Sequence, residues 1–189
     1  MDMLVRRARK RDKEAFSQLI KLHTPSMYKV AKAILKNDED VADAVQETAL
    51  TCWEKLDTLK KDRYFKTWMI RILINHCNQI YRQRSRMISE VLLPEEGAAE
   101  ENYAAVEWRE FLMCLDEKYR VVTILYYVEG FKIREIAEIL QINAKTVSGR
   151  LATARDRMEK QYTHEKPSAV VYRLKERNQR GLKRKERLI

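Results

Sequence analysis

Met27, Val30, Ala31 and Ile34 stand at i, i+3, i+4 and i+7, the spacing of one helical face, and predict a helix over 25–35. A similar stripe of Phe16, Leu19 and Ile20 predicts a helix over 12–22. A third helix is expected to open at Asp38 as N-cap, with Glu39 and Asp40 suited to the helix dipole, and to run to about Leu56. Its inward residues are Val41, Val45, Cys52 and Leu56. A fourth spans about 65–84, with Phe65, Trp68, Met69, Ile72, Leu73 and Ile80 apolar. Residues 89–104 break the pattern: they hold Pro94, Gly97, five glutamates and no basic residue, and read as an acidic linker.

A second helical unit starts near Ala105. Tyr119, Val122, Leu125 and Tyr126 form one stripe before a turn at Glu129-Gly130. Ile133, Ile136, Ala137 and Leu140 form the next, and Val147, Leu151, Ala154 and Met158 the last. Four glycines and three prolines in the whole chain leave few turn devices, and no strand-type alternation of useful length occurs. The fold class expected is all-α, two small helical domains over 1–88 and 105–162, joined by the linker and followed by a basic tail over 163–189.

Two short helices around the turn Gln141-Ile142-Asn143 have helix-turn-helix spacing. Asn143 suits the N-cap of the second. With Val147, Leu151, Ala154 and Met158 inward, Lys145, Gly149, Ala152 and Asp156 face outward, flanked by Thr146, Ser148 and Thr153. Such a small, polar face fits base edges in a major groove, and Gly149 would let backbone come close. A tolerated surface glycine in an ordinary three-helix bundle fits the same residues.

Charge separates the elements further. The net charge of +10 favours a polyanion partner, because each cation set against a phosphate releases a condensed counterion; a merely soluble surface would also carry it. Residues 37–57 hold seven acidic residues and one basic residue, whereas 60–89 hold eight basic residues and one acidic residue. The acidic helix repels phosphate and should meet a basic protein surface. In the basic segment Arg71, Arg82, Arg84 and Arg86 interleave with Tyr64, Trp68 and Tyr81, which suits an unpaired DNA strand. Solvated charges around a core Trp68 are the plainer alternative.

Other chemistry is thinly represented. Cys52, Cys77 and Cys114 are scattered and odd in number, so neither a disulfide framework nor a zinc site is expected. Residues 1–11 lack the apolar core of a signal peptide, and the run 121–128 is too short to span a bilayer; a cytoplasmic protein is expected. His23, His76 and His164 lie in unrelated segments, and no glycine-rich phosphate loop or catalytic triad is recognisable. No enzyme activity, cofactor, metal or small-molecule substrate is expected.

The motifs together resemble the extracytoplasmic-function (ECF) sigma factors of the sigma-70 family. Val41-Ala42-Asp43-Ala44-Val45-Gln46-Glu47-Thr48 is similar to the acidic stretch of sigma region two. Phe65-Lys66-Thr67-Trp68-Met69-Ile70-Arg71-Ile72 with Asn75, then Tyr81-Arg82-Gln83-Arg84, resembles the signature that follows it. Leu115 to Arg120, Tyr127-x-Glu129-Gly130, Glu135-Ile136-Ala137-x-x-Leu140 and Thr146-Val147-x-x-Arg150 with Ala154-Arg155 resemble region four. The resemblance covers about residues 8–160 and implies that core RNA polymerase, through its β′ clamp and β flap, and promoter DNA are partners, together with an anti-sigma factor. It implies that Asp40, Asp43, Gln46 and Glu47 grip the clamp. Tyr64, Lys66, Trp68, Arg71, Asn75 and Arg82 would meet the minus-ten element, with Asn75 helping to hold a flipped base. Lys145, Thr146, Ser148, Gly149, Arg150 and Thr153 would read the minus-thirty-five element. Members often carry an aromatic near the position of Leu59 and basic residues where Ser148 and Thr153 stand. A dimeric helix-turn-helix regulator is the alternative, although it leaves the acidic and the basic-aromatic helices unexplained.

Overall fold

A computed structural model describes residues 2–87, 112 and 115–162, all helices and short connections without a strand among them. The linker, the start of the second unit and the tail over 163–189 lie outside the described residues. The first unit contains α1 (Asp2–Arg9), α2 (Lys13–Ile34), α3 (Asp38–Glu54) and α4 (Phe65–Met87), with 3-10 turns at Leu56–Thr58 and Asp62–Tyr64. The second contains α5 (Glu117–Thr123), a π-helical segment (Ile124–Val128), α6 (Ile133–Leu140) and α7 (Ala144–Tyr162).

The apolar stripes become the core. Leu19, Met27, Val30, Ala31 and Ile34 of α2 are buried with Val41, Ala44 and Cys52 of α3 and Phe65, Met69, Leu73 and Cys77 of α4. Phe16, Ile20, Val45, Trp68, Ile72 and Ile80 pack against that core while half-buried. In the second unit Val122, Leu125, Ile136, Val147, Leu151, Ala154 and Met158 are buried. The units touch: α2 packs on α5 and the π segment, and α4 packs on α6.

Three local expectations change. The helices expected over 12–22 and 25–35 are one helix, α2, with Pro25 inside it. A proline there removes the hydrogen bond to the Lys21 carbonyl and ordinarily breaks a helix. Here Leu19, His23, Met27 and Val30 form one buried face across the break, and Pro25 lies on the exposed side. Packing of the continuous face outweighs the local defect. The N-cap of α3 is Asn37, one residue earlier than expected; its side-chain oxygen accepts from the Glu39 N–H at 2.7 Å. Finally, α3 ends at Glu54, and Leu56 is buried from the following 3-10 turn.

Candidate nucleic-acid and polymerase interfaces

The helix-turn-helix is built by its turn. Gln141 ends α6 in the left-handed conformation, φ 54°, a place where glycine is more usual. The chain then reverses within two residues, and the Asn143 side-chain oxygen accepts from the Thr146 N–H at 2.6 Å and from its hydroxyl at 2.8 Å. Arg157 pairs with Asp116 at 2.8 Å and lies 4.6 Å from the Tyr119 ring centre, which pins α7 against α5. On the outer side Lys145, Ser148, Gly149, Ala152 and Asp156 are exposed, and Thr146, Arg150 and Thr153 are half-buried. The Ser148 hydroxyl donates back to the Ala144 carbonyl at 3.0 Å, so its lone pairs are what it offers outward. A side chain at Gly149 would meet nothing within 4 Å, so packing gives no reason for glycine there.

On α4 the candidate residues divide. At 3.6 residues per turn, Trp68, Arg71, Asn75 and Arg82 fall within about 60° of one another. Arg71, Asn75 and Arg82 are exposed, Trp68 is half-buried, and Tyr64 is exposed in the turn just before the helix. Asn75 and Arg82 line a shallow groove with Asn78, Gln79 and Gln83. Lys66 and Arg84 lie about 160° from Trp68 on the same wheel. Both are engaged inside the molecule, Lys66 with Glu129 at 2.8 Å and Arg84 with Asp40 at 2.7 Å.

The acidic helix divides in the same way. Asp43, Gln46 and Glu47 are exposed on one face of α3. Asp40 is 8% exposed, turned toward Arg84, and so ties α3 to α4. Leu50, an apolar residue 53% exposed, extends the Gln46/Glu47 face. No motif in the sequence marks Leu50, Asn78 or Gln79, and Gln83 stands in a motif without being singled out as a site residue. Their i+3 and i+4 spacing from Glu47, Asn75 and Gln79 is the signal that could have found them.

Two buried thiols and a histidine complete the chemistry. Burial pushes the Cys52 and Cys77 thiols up to about 12, so neither is poised as a nucleophile. His23 is 4% exposed, and burial, then the charge of Lys66, hold its pKa below the ordinary 6.5, with Glu129 opposing. No group of three potential metal ligands occurs among the described residues. No described helix is long and apolar enough to cross a membrane.

Comparison with known proteins places both units. The family model of sigma-70 region 2 matches residues 19–87, and that of sigma-70 region 4 matches 105–158. The RNA polymerase sigma factor SigV of Bacillus subtilis is 30% identical over 146 residues, covering 76% of this chain and 88% of SigV. The ECF RNA polymerase sigma factor SigW of the same organism is 24% identical over 184 residues, covering 85% of this chain and 98% of SigW. Among solved structures, CnrH in complex with the cytosolic domain of CnrY aligns with TM-score 0.66 and 26% identity over 87% of this chain and 98% of CnrH. The sigma factor RpoE in complex with the anti-sigma factor NepR, from Bartonella quintana, shares the fold, with TM-score 0.70 and 23% identity over 80% of this chain and 98% of RpoE. With a helix-turn-helix unit following an acidic and a basic-aromatic helix in the family's order, the chain belongs to the sigma-70 family and is an RNA polymerase sigma factor of the ECF type.

Proposed function

We propose that this sigma factor uses three separate faces to carry promoter choice to core polymerase. The observation that carries the reading is the exposure of oppositely charged faces on neighbouring helices: Asp43, Gln46 and Glu47 on α3, and Arg71, Asn75 and Arg82 on α4. The acidic face meets the basic β′ clamp, with Leu50 as an apolar anchor beside it. The α4 stripe meets the minus-ten element, with rings beside bases, Arg71 and Arg82 on phosphates and Asn75 on a flipped base. The outer face of α7 reads the minus-thirty-five element, while the second unit leans on the β flap. The functional divisions are 1–88, the linker 89–104, 105–162 and the tail 163–189. Lys66 and Asp40 differ from their companions, since each is held in an ion pair within the chain.

The chain has no catalysis of its own on this reading, and it works in the cytoplasm, where polymerase is. An anti-sigma factor restrains it, as the complexes of RpoE with NepR and of CnrH with CnrY suggest by similarity. A dimeric regulator independent of polymerase is not favoured, because it has no use for the acidic face. The test is core binding. Reversing Asp43 and Glu47 to Lys should weaken affinity for core polymerase by at least about tenfold while helicity stays unchanged, given the coupling energies typical of close charge pairs at interfaces. Unchanged affinity in the folded double variant sinks the assignment.

A further inference from the structure

The turn between α1 and α2 is strained, and none of the three faces assigned above uses it. Arg11 has φ 65°, in the left-handed region, where a side chain crowds its own backbone and glycine is the usual residue. The turn is otherwise a regular helix stop. The Arg11 N–H bonds the Ala8 carbonyl at 2.8 Å, and the Asp12 N–H bonds the Arg7 carbonyl at 3.3 Å. A glycine would make both bonds without strain, so the strain points to a use for the exposed Arg11 side chain.

That side chain reaches across to the end of α3. Its guanidinium donates to the Trp53 carbonyl at 2.8 Å, pairs with the Asp57 carboxylate and lies 5.4 Å from the centre of the Trp53 ring. The Trp53 carbonyl is one of the last four of α3, which a helix leaves without intrahelical partners, and a cation there also suits the helix dipole. Phe16 of α2 packs on the same ring, centroids 4.9 Å apart. Gln46, Leu50 and Trp53 stand at i, i+4 and i+7 on α3, so this ring borders the acidic face. Exposed Glu54 lies one turn beyond Leu50.

We propose that Arg11 is a positioning residue for the polymerase interface: by holding the Trp53 carbonyl, the Trp53 ring and Asp57 together, it presents the C-terminal end of the α3 face preformed. The inference rests on the reading that this face takes core polymerase. As a stabiliser Arg11 is poor. Its side chain is 45% exposed and that of Asp57 64%, where a single ion pair adds little, and the backbone strain opposes it. As a charge it is misplaced, because a cation beside an acidic face repels a basic partner. Geometry is what it supplies. The planar fork, set against a carbonyl, a carboxylate and a ring, fixes one arrangement of the last turn of α3 and of the 3-10 turn Leu56–Thr58. Less ordering is then left for the moment of binding.

The test measures affinity of the full chain for core polymerase, with thermal unfolding alongside. Arg11→Gly suits the left-handed backbone, removes the side chain and takes away one positive charge. Its thermal midpoint should stay within a few degrees of wild type, while its affinity for core should fall roughly fivefold to tenfold. Arg11→Lys keeps the charge but has no fork, and should lose a comparable amount. Amide exchange at Lys55, whose N–H bonds the Thr51 carbonyl at 2.9 Å, should quicken in both variants. In a Trp53→Leu chain, Arg11→Gly should cost less than about twofold further, because the two side chains act together. Affinity of Arg11→Gly equal to or above wild type overturns the proposal, since charge then outweighs placement. Full affinity in Arg11→Lys also overturns it, as does an undiminished loss in the Trp53→Leu chain. A midpoint that falls in step with affinity makes Arg11 a structural support and overturns it too. Reversing Asp43 and Glu47 to Lys tests the underlying reading separately. If that reversal weakens core binding while Arg11→Gly does not, the reading stands and Arg11 has no part in it. If the reversal leaves core affinity unchanged, the reading fails and the proposal fails with it.

Discussion

Single side chains in this molecule are most informative where they are buried against their chemistry. His23 is the clearest. Its imidazole lies in the core beside the Phe65 ring, centroids 5.5 Å apart, and its pKa is lowered by burial first and by Lys66 second. The unfolded chain takes up a proton as pH falls through 6.5, whereas the folded chain does so only at lower pH. A histidine with a depressed folded pKa contributes stability above the unfolded value, and that stability is lost as pH falls from 6.5 toward the folded value. Glu117 has the opposite sense: burial raises its pKa above 4.5, so falling pH relieves it. The comparison of wild type with His23→Leu cancels Glu117, which both chains share. Urea unfolding at about pH 7.5 and about pH 5.5 should show a larger loss in wild type than in His23→Leu. Equal losses would mean that His23 does not set this pH dependence.

At the scale of the element, the second unit depends on how tightly its turn reverses the chain. Asn143 supplies the cap of α7, and Val147 buries the helix one turn later. Gln141 is the weak point. Its φ of 54° and ψ of 40° place a side-chain-bearing residue in the left-handed region, which costs roughly 1–2 kcal/mol for most residues. The Ile142 N–H nevertheless closes on the Ala137 carbonyl at 3.1 Å, so the turn is made despite that cost. Gln141→Gly removes the clash but adds freedom to the unfolded chain, and the two effects oppose. The net expectation is a gain of about 0.5–1 kcal/mol, seen as a higher midpoint in thermal or chemical unfolding, with minus-thirty-five binding unchanged. A lower midpoint would show that the Gln141 side chain contributes more than its backbone strain removes.

The whole molecule is organised by separated charge. Acidic and basic surfaces stand on consecutive helices of the first unit, while residues 161–189 carry nine Lys or Arg and three Glu, a net of 9 − 3 = +6 out of the +10 of the chain. That tail follows the region-four match, which ends at residue 158. Phosphate is its expected partner. Truncation after Lys166 should weaken promoter and non-promoter DNA alike and leave promoter choice unchanged. The slope of log affinity against log salt should flatten by about 0.9 for each phosphate that the tail no longer neutralises. A truncated chain that keeps the full slope would assign the tail to protein contacts, and pull-down with an anti-sigma partner would then be the measurement to make.

Short-range physics was legible in the residues themselves. Apolar period marked the buried faces of α2, α4 and α7, the Asn143 cap opened α7, and the family's motifs stood in order along the chain. Asp43, Gln46, Glu47, Arg71, Asn75 and Arg82, which stand in or beside those motifs, are all exposed. What the period could not tell was which side of a helix a second packing partner would claim. Lys66 and Arg84 look like Arg71 and Arg82 in a basic segment, yet each is matched to a carboxylate distant in sequence, Glu129 and Asp40. Pro25 reads as a helix break until one buried face is seen to run through it, and Gln141, an exposed residue, carries the left-handed turn where glycine is more usual. Local rules act over one or two turns of chain, through hydrogen bonds and rotamers that neighbouring residues determine. The pairings that seat Lys66, Asp40 and His23 form only when distant segments meet, and the free energy that decides them comes from desolvation and packing in the assembled core.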